Sequence, residues 1–152
     1  MVDMDKFLKR NPSLFHQIEQ GKAAILYPGD GMHMLLLGET GVGKSLFADL
    51  LHKYGIQSGK LAEASPFIQF NCADYAHNPQ LLMSQLFGHV KGAYTGAETN
   101  KTGLLEKANG GILFLDEIHR LPIEGQEMLF TYIDRGVFRP LGASEQDHHA
   151  NV

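Results

Sequence analysis

Residues 38–45 read Gly-Glu-Thr-Gly-Val-Gly-Lys-Ser, a complete G-x-x-x-x-G-K-[ST] pattern between an apolar run, Met32 to Leu37, and a helix-like segment, Ser45 to Tyr54. No other feature constrains the fold as tightly, because such a loop carries a strand sharply into a helix. Its backbone N–H groups must wrap around anionic oxygens. Gly38, Gly41 and Gly43 therefore stand where a side chain would block approach or where φ is positive, and Glu39, Thr40 and Val42 complete the cradle. Lys44 supplies a point charge for the β and γ phosphates of a nucleotide. Ser45 opens the following helix, whose N-terminal N–H groups favour the same anion, and its hydroxyl is a hard oxygen suited to Mg2+.

Along the rest of the chain strands and helices alternate. Phe7 to Ala24 reads as a helix, with Asn11 and Pro12 marking a start or break, and Tyr27 to Gly31 as a turn. Met32 to Leu37 suits a buried parallel strand, Met32 and Met34 being core residues, and the helix after the loop is expected to end near Gly55. Ile56 to Ser65 reads as polar linker, Pro66 to Phe70 as a strand, and Asn78 to Phe87 as a helix with Pro79 in its first turn. A glycine-rich stretch, Gly88 to Gly103, interrupts the pattern. Leu104 to Ala108 finishes a helix, Gly110-Gly111 turns, Ile112 to Leu115 is a buried strand, and Pro122 to Asp134 is a helix closed by Gly136. The alternation predicts an α/β layered fold with a parallel sheet. The expected organisation is an N-terminal helical segment over 1–30 leading into a nucleotide-binding core over 31–152.

A second chemical signal is Ile112-Leu113-Phe114-Leu115-Asp116-Glu117, four apolar residues that deliver two carboxylates to the carboxyl end of a strand, where α/β folds keep their sites. Asp116 is suited to hold Mg2+ through its water shell, and Glu117 to polarise the water that attacks a γ phosphate. Together the loop and the acidic pair make the Walker A and Walker B motifs of an ATPase. Composition fits one module: 152 residues, 43% apolar, net charge −4. That charge gives no electrostatic footprint for nucleic acid. The single cysteine, Cys72, excludes an internal disulfide framework and suggests a reducing compartment, so a cytoplasmic location is expected. It is read as a small buried residue without reactivity. No stretch reaches the ~20 apolar residues of a membrane span. His148-His149 reads as solvated loop and His119 as surface.

Between the two motifs stand Gln85-Leu86-Phe87-Gly88 and then Gly92-Ala93-Tyr94-Thr95-Gly96-Ala97. The second resembles the GAFTGA loop in the AAA+ domains of sigma-54-dependent bacterial transcription activators, the enhancer-binding proteins, with Tyr94 in place of the usual Phe. The resemblance runs from about Ile25 to the end, through Phe70-Asn71-Cys72-Ala73, Leu104-Leu105-Glu106-Lys107-Ala108 and Gly110-Gly111. Lys91-Gly92-Ala93-Tyr94 and Ala23-Ala24-Ile25-Leu26-Tyr27-Pro28 look like the branch that regulates phosphotransferase-system sugar operons, such as the levan-operon regulator.

The resemblance implies a P-loop NTPase (AAA+) three-layer sandwich with ATP and Mg2+ as cofactors. It further implies a hexameric ring in the intact parent and sigma-54 RNA polymerase as the partner of Gly92 to Ala97. On this reading Tyr94, as an exposed aromatic, and Thr95 touch sigma-54, with Gly92 and Gly96 as hinges. Asn71 matches the asparagine that restrains Glu117 until the γ phosphate is sensed, and a second pore loop falls near Arg139 to Asp147. The family continues into a sensor strand, an arginine finger and a helical lid. The chain is expected to stop before them, with Arg135 and Arg139 upstream of the finger and weak hydrolysis as the result. Two functions stay open: the ATPase core of an activator, or an ATP-binding module that occupies sigma-54 or a partner subunit without turnover. An unfoldase would have no reason to carry Gly-Ala-Tyr-Thr-Gly-Ala. For Gly88 to Gly103 an ordinary surface loop remains the bland alternative.

Overall fold

Helical periodicity near the N-terminus and strand–helix alternation beyond it give two compact units, Met1–Phe67 and Ile68–Val152. The structure is a computed structural model and describes residues 4–10, 12–29, 43–143 and 147–152. The expected strand Met32 to Leu37 and most of the phosphate loop, Gly38 to Val42, lie outside the described residues.

In the first unit the expected single helix is two. Helix α1 (Met4–Arg10) is followed by a 3-10 turn at Pro12–Leu14, and α2 spans Phe15–Leu26. Pro12 has no N–H to donate and starts the new turn, as a proline does in a first helical position. Helix α3 (Lys44–Gln57) packs on α2. Ile18, Ala24, Ile25, Ala48, Leu50 and Leu51 are buried. Gly21 lets the helices approach, since a Cβ there would lie 2.8 Å from Leu51 Cδ2. Helix α3 runs past Gly55, contrary to expectation. That glycine serves packing and not termination: a Cβ on it would stand 2.6 Å from Leu61 Cδ1. The stop falls instead at Gly59, φ +76°, whose N–H donates to the Ile56 carbonyl at 3.0 Å. The start of the expected polar linker is therefore helical.

In the second unit β1 (Phe67–Asn71) and β4 (Ile112–Asp116) form a two-stranded parallel sheet. A 3-10 turn, Cys72–Tyr75, leads from β1 toward α4 (Pro79–Phe87). Asn78 caps α4 by accepting from Leu81 N–H at 3.2 Å, with Pro79 at its start as expected. The glycine-rich stretch is closed at its base by an antiparallel ladder of β2 (Gly88–His89) and β3 (Lys101–Thr102), with Gly88 opposite Thr102. Leu104–Lys107 forms a separate one-turn helix, α5, and does not finish a longer one.

Helix α6 (Ile123–Arg135) buries Gly125, Leu129 and Tyr132 at helical spacing and ends at Gly136, φ +71°, as the sequence predicts. His148-His149, expected as solvated loop, is strand β6, paired antiparallel with β5 (Val137–Phe138). Tyr132 fixes that segment, its hydroxyl donating to the Ala150 carbonyl at 3.0 Å and accepting from Val152 N–H at 3.2 Å. The core centres on Cys72, Leu82, Leu86, Phe87 and Leu105, all at most 1% exposed. Strand β4, expected to be buried, is half-buried at all five positions. Among the described residues it has one strand neighbour, β1, and so lacks the cover of a central strand.

Candidate functional site

The described end of the phosphate loop has the expected local form. Gly43 takes φ +91° and its carbonyl accepts from Phe47 N–H at 3.0 Å, opening α3. Helix α3 begins at Lys44, which is half-buried, and Ser45 follows, exposed, in its first turn. A left-handed residue at this point requires glycine and leaves the first N–H groups of the helix unspent on intrahelical bonds. Those donors, the Lys44 ammonium and the Ser45 hydroxyl fit a phosphate with its cation.

At the end of β4 the backbone turns sharply. Glu117 has φ 53° and ψ 43°, and it is the one non-glycine residue with positive φ among the described residues. The strain is met locally, for Glu117 N–H donates to Asp116 Oδ1 at 2.9 Å. A non-glycine residue held in this region costs on the order of 1 kcal/mol or more, and such costs cluster at functional sites. The Glu117 carboxylate stands 3.1 Å from His119 Nε2. His119 is on the surface as expected, its side chain 67% exposed, yet it touches the acidic pair. Nothing in the sequence marked that contact beyond the two-residue spacing.

Asn71 sits at the end of β1, and its Oδ1 accepts from Ala73 N–H at 2.9 Å, capping the 3-10 turn. The contact fixes the side chain and leaves the amide nitrogen as the group able to donate elsewhere. Cys72 is fully buried beside these residues. Burial first, then the Asp116 carboxylate and more weakly that of Glu117, push its thiol up to about 11 against one opposing backbone hydrogen bond. The expected unreactive thiol is what this environment makes. Ser45 in the first unit and Asp116 in the second each carry a hard oxygen of the kind that Mg2+ takes.

The Gly92–Ala97 loop is a tight structure, not loose chain. Gly92 and Gly96 take φ +83° and +96°. Gly92 N–H donates to the Ala97 carbonyl at 2.9 Å, and Ala97 N–H to that of Tyr94 at 3.0 Å. Thr95 is exposed at its tip, as expected. Tyr94 is not the exposed aromatic that the sequence suggests. It is half-buried, its ring meets that of His89 edge-on at 5.2 Å, and its hydroxyl lies 3.4 Å from both Ser84 Oγ and His89 Nδ1. Helix α4 ends just before the loop and offers this polar shelf, which no periodicity in the sequence discloses. The base of the loop also meets the second loop. Val90 N–H donates to the Leu141 carbonyl at 3.0 Å, and Leu141 N–H to that of Gly88 at 2.9 Å. Arg139 and Asp147 pair at 2.6 Å across the second loop, of which residues 144–146 lie outside the described ones.

The architecture is that of an AAA+ P-loop NTPase, and crystal structures of NtrX from Brucella abortus are similar to it. One has a TM-score of 0.65 at 28% identity, covering 89% of this chain and 28% of that one. A second, in complex with ATP, has a TM-score of 0.65 at 27% identity, over 91% and 27%. Residues 7–152 match the family described as "Sigma-54 interaction domain", and the chain belongs to that family. It is 61% identical over 140 residues to the transcriptional regulatory protein LevR of Bacillus subtilis, covering 92% of this chain and 15% of the relative. To DagR of Salmonella typhimurium it is 54% identical over the same shares. To GlrR of Escherichia coli it is 38% identical over 97% of this chain and 31% of that protein. The chain thus spans about a seventh of the length of LevR and DagR.

Proposed function

We propose that the chain is the nucleotide-binding core of a sigma-54-dependent transcription activator, which couples ATP hydrolysis to remodelling of the sigma-54 RNA polymerase promoter complex in the cytoplasm. Gly38 to Ser45 bind the phosphates, with Lys44 as the charge on the β and γ groups. Ser45 and Asp116 hold Mg2+, which neutralises charge developing on the phosphates. Glu117 accepts the proton of the attacking water, and Asn71 restrains Glu117 through its amide nitrogen, since its oxygen is committed to Ala73. Gly92 to Ala97 face sigma-54, with Thr95 at the tip. A ring of such subunits, hexameric by resemblance, places one loop per subunit before the polymerase.

The observation that carries this reading is the Gly92–Ala97 loop itself, an exposed threonine between two positive-φ glycines in a chain of this family. Its test separates force transmission from hydrolysis. In a full-length regulator bearing this sequence, Thr95→Ala should leave ATPase activity within a few-fold of normal and eliminate sigma-54-dependent open-complex formation. Normal transcription by Thr95→Ala, or joint loss of ATPase and transcription, would remove the loop from the sigma-facing role.

A further inference from the structure

Among the described residues, Ser84 and His89 are the buried polar ones of the second unit, at 0% and 8% exposure, and the motifs of an ATPase account for neither. Ser84 sits in the last turn of α4 and His89 in β2, and Ser84 Oγ meets His89 Nδ1 at 2.5 Å. A buried hydroxyl and imidazole that satisfy each other need no third group. A third group is nevertheless present, the Tyr94 hydroxyl, 3.4 Å from both. We propose that Ser84 and His89 are positioning residues for the Gly92–Ala97 loop: their buried pair receives the Tyr94 hydroxyl and latches the loop onto the end of α4, leaving Thr95 outward. The functional meaning of the latch rests on the sigma-54 reading above.

Three features suit the arrangement to a releasable hold. The Tyr94 contacts are long for O–H donors and correspondingly weak. Their loss leaves no buried orphan, because Ser84 and His89 keep each other and the tyrosine hydroxyl passes to water. The anchor is rigid: a Cβ on Gly103 would run into the backbone of Phe87 and Gly88 and lie 2.6 Å from the Leu86 carbonyl oxygen, so β3 is pressed directly on the end of α4. Glycine hinges at Gly92 and Gly96 then let Tyr94 leave while β2 and β3 stay paired. A phenylalanine at position 94 keeps the edge-on ring contact with His89 and loses the latch.

Hydrogen–deuterium exchange on the 152-residue chain tests this without nucleotide or sigma-54. Tyr94→Phe should speed exchange at the Gly92 and Ala97 amides about two- to threefold, the low end for a neutral hydrogen bond, with the β2–β3 amides unchanged. Ser84→Ala should speed it by no more than this, since His89 Nδ1 keeps its own contact with the Tyr94 hydroxyl, and the double variant should exchange no faster than Tyr94→Phe, which already removes both contacts. Unchanged loop exchange in Tyr94→Phe overturns the latch, as does an additive double variant. Should Ser84→Ala lose β2–β3 protection, Tyr94→Phe alone decides. Failure here leaves the Thr95→Ala transcription test intact, and failure of that test leaves the exchange result standing.

Discussion

The Cys72 thiol is buried beside Asp116 and Glu117, so ionising it means placing a third negative charge in a site already rich in them. Its pKa rises from 9.0 to about 11 on folding. The folded state therefore holds a proton that the unfolded chain releases from about pH 9 upward. The stabilisation is complete below pH 9 and is lost as pH rises toward 11, because the unfolded state binds fewer protons there. Two pKa units correspond to about 2.7 kcal/mol, so on the order of 2 kcal/mol should be lost between pH 9 and 11. In Cys72→Ala this component should vanish, and urea midpoints of the two proteins across that range give the comparison. A thiol without special burial would show parallel curves. At the same scale Tyr94 shows how a residue's chemistry is misread from its motif. Its flanking glycines signalled a turn correctly, but which face the ring takes depended on Ser84 and His89, ten and five residues away.

Among the elements, the glycines divide by what they touch. Gly59 has φ +76° and open space around the position of a Cβ, so Gly59→Ala carries backbone strain alone, about 1 kcal/mol. Gly103 has ordinary φ but is enclosed by the backbone of Leu86, Phe87 and Gly88, which no side-chain rotation can relieve. Gly103→Ala should therefore cost about 3 kcal/mol or more and loosen the β2–β3 ladder. Chemical denaturation of both variants decides it, and equal losses would contradict the close approach. Helix caps at Asn78 and Gly136 were legible, because the residue type and the local backbone coincide. The C-terminal stop of α3 at Gly59 was not. Gly55 has the look of a stop and acts as a packing groove, a distinction made by Leu61 six residues further on.

For the molecule as a whole, nucleotide binding should register as stability. A ligand that binds only the folded chain contributes RT ln(1 + [L]/Kd), about 2.7 kcal/mol at a hundred times Kd. On the proposed reading Lys44→Ala removes the cation that would face the β and γ phosphates, so affinity for an ATP analogue should fall at least ~10-fold. At the same ligand concentration the stabilisation should drop to about 1.4 kcal/mol, roughly halving the rise in Tm. Glu117→Gln should keep the full rise while abolishing hydrolysis in a full-length regulator, since an amide cannot accept the proton of water. An unchanged thermal shift in Lys44→Ala would place the nucleotide elsewhere. The amino-acid sequence by itself determined the phosphate loop, the acidic pair after β4, the Gly92–Ala97 motif and the alternation of helix and strand. Each of these is written in contiguous residues, through glycine φ, charge or periodicity. Only the tertiary structure decided the rest: the contact of Tyr94 with Ser84 and His89, the pairing of Val137-Phe138 with His148-His149, the contact of His119 with Glu117, and the half-burial of β4. These depend on which segments meet after the chain closes, and a side chain's partners across such a closure leave no periodic trace in the order of residues.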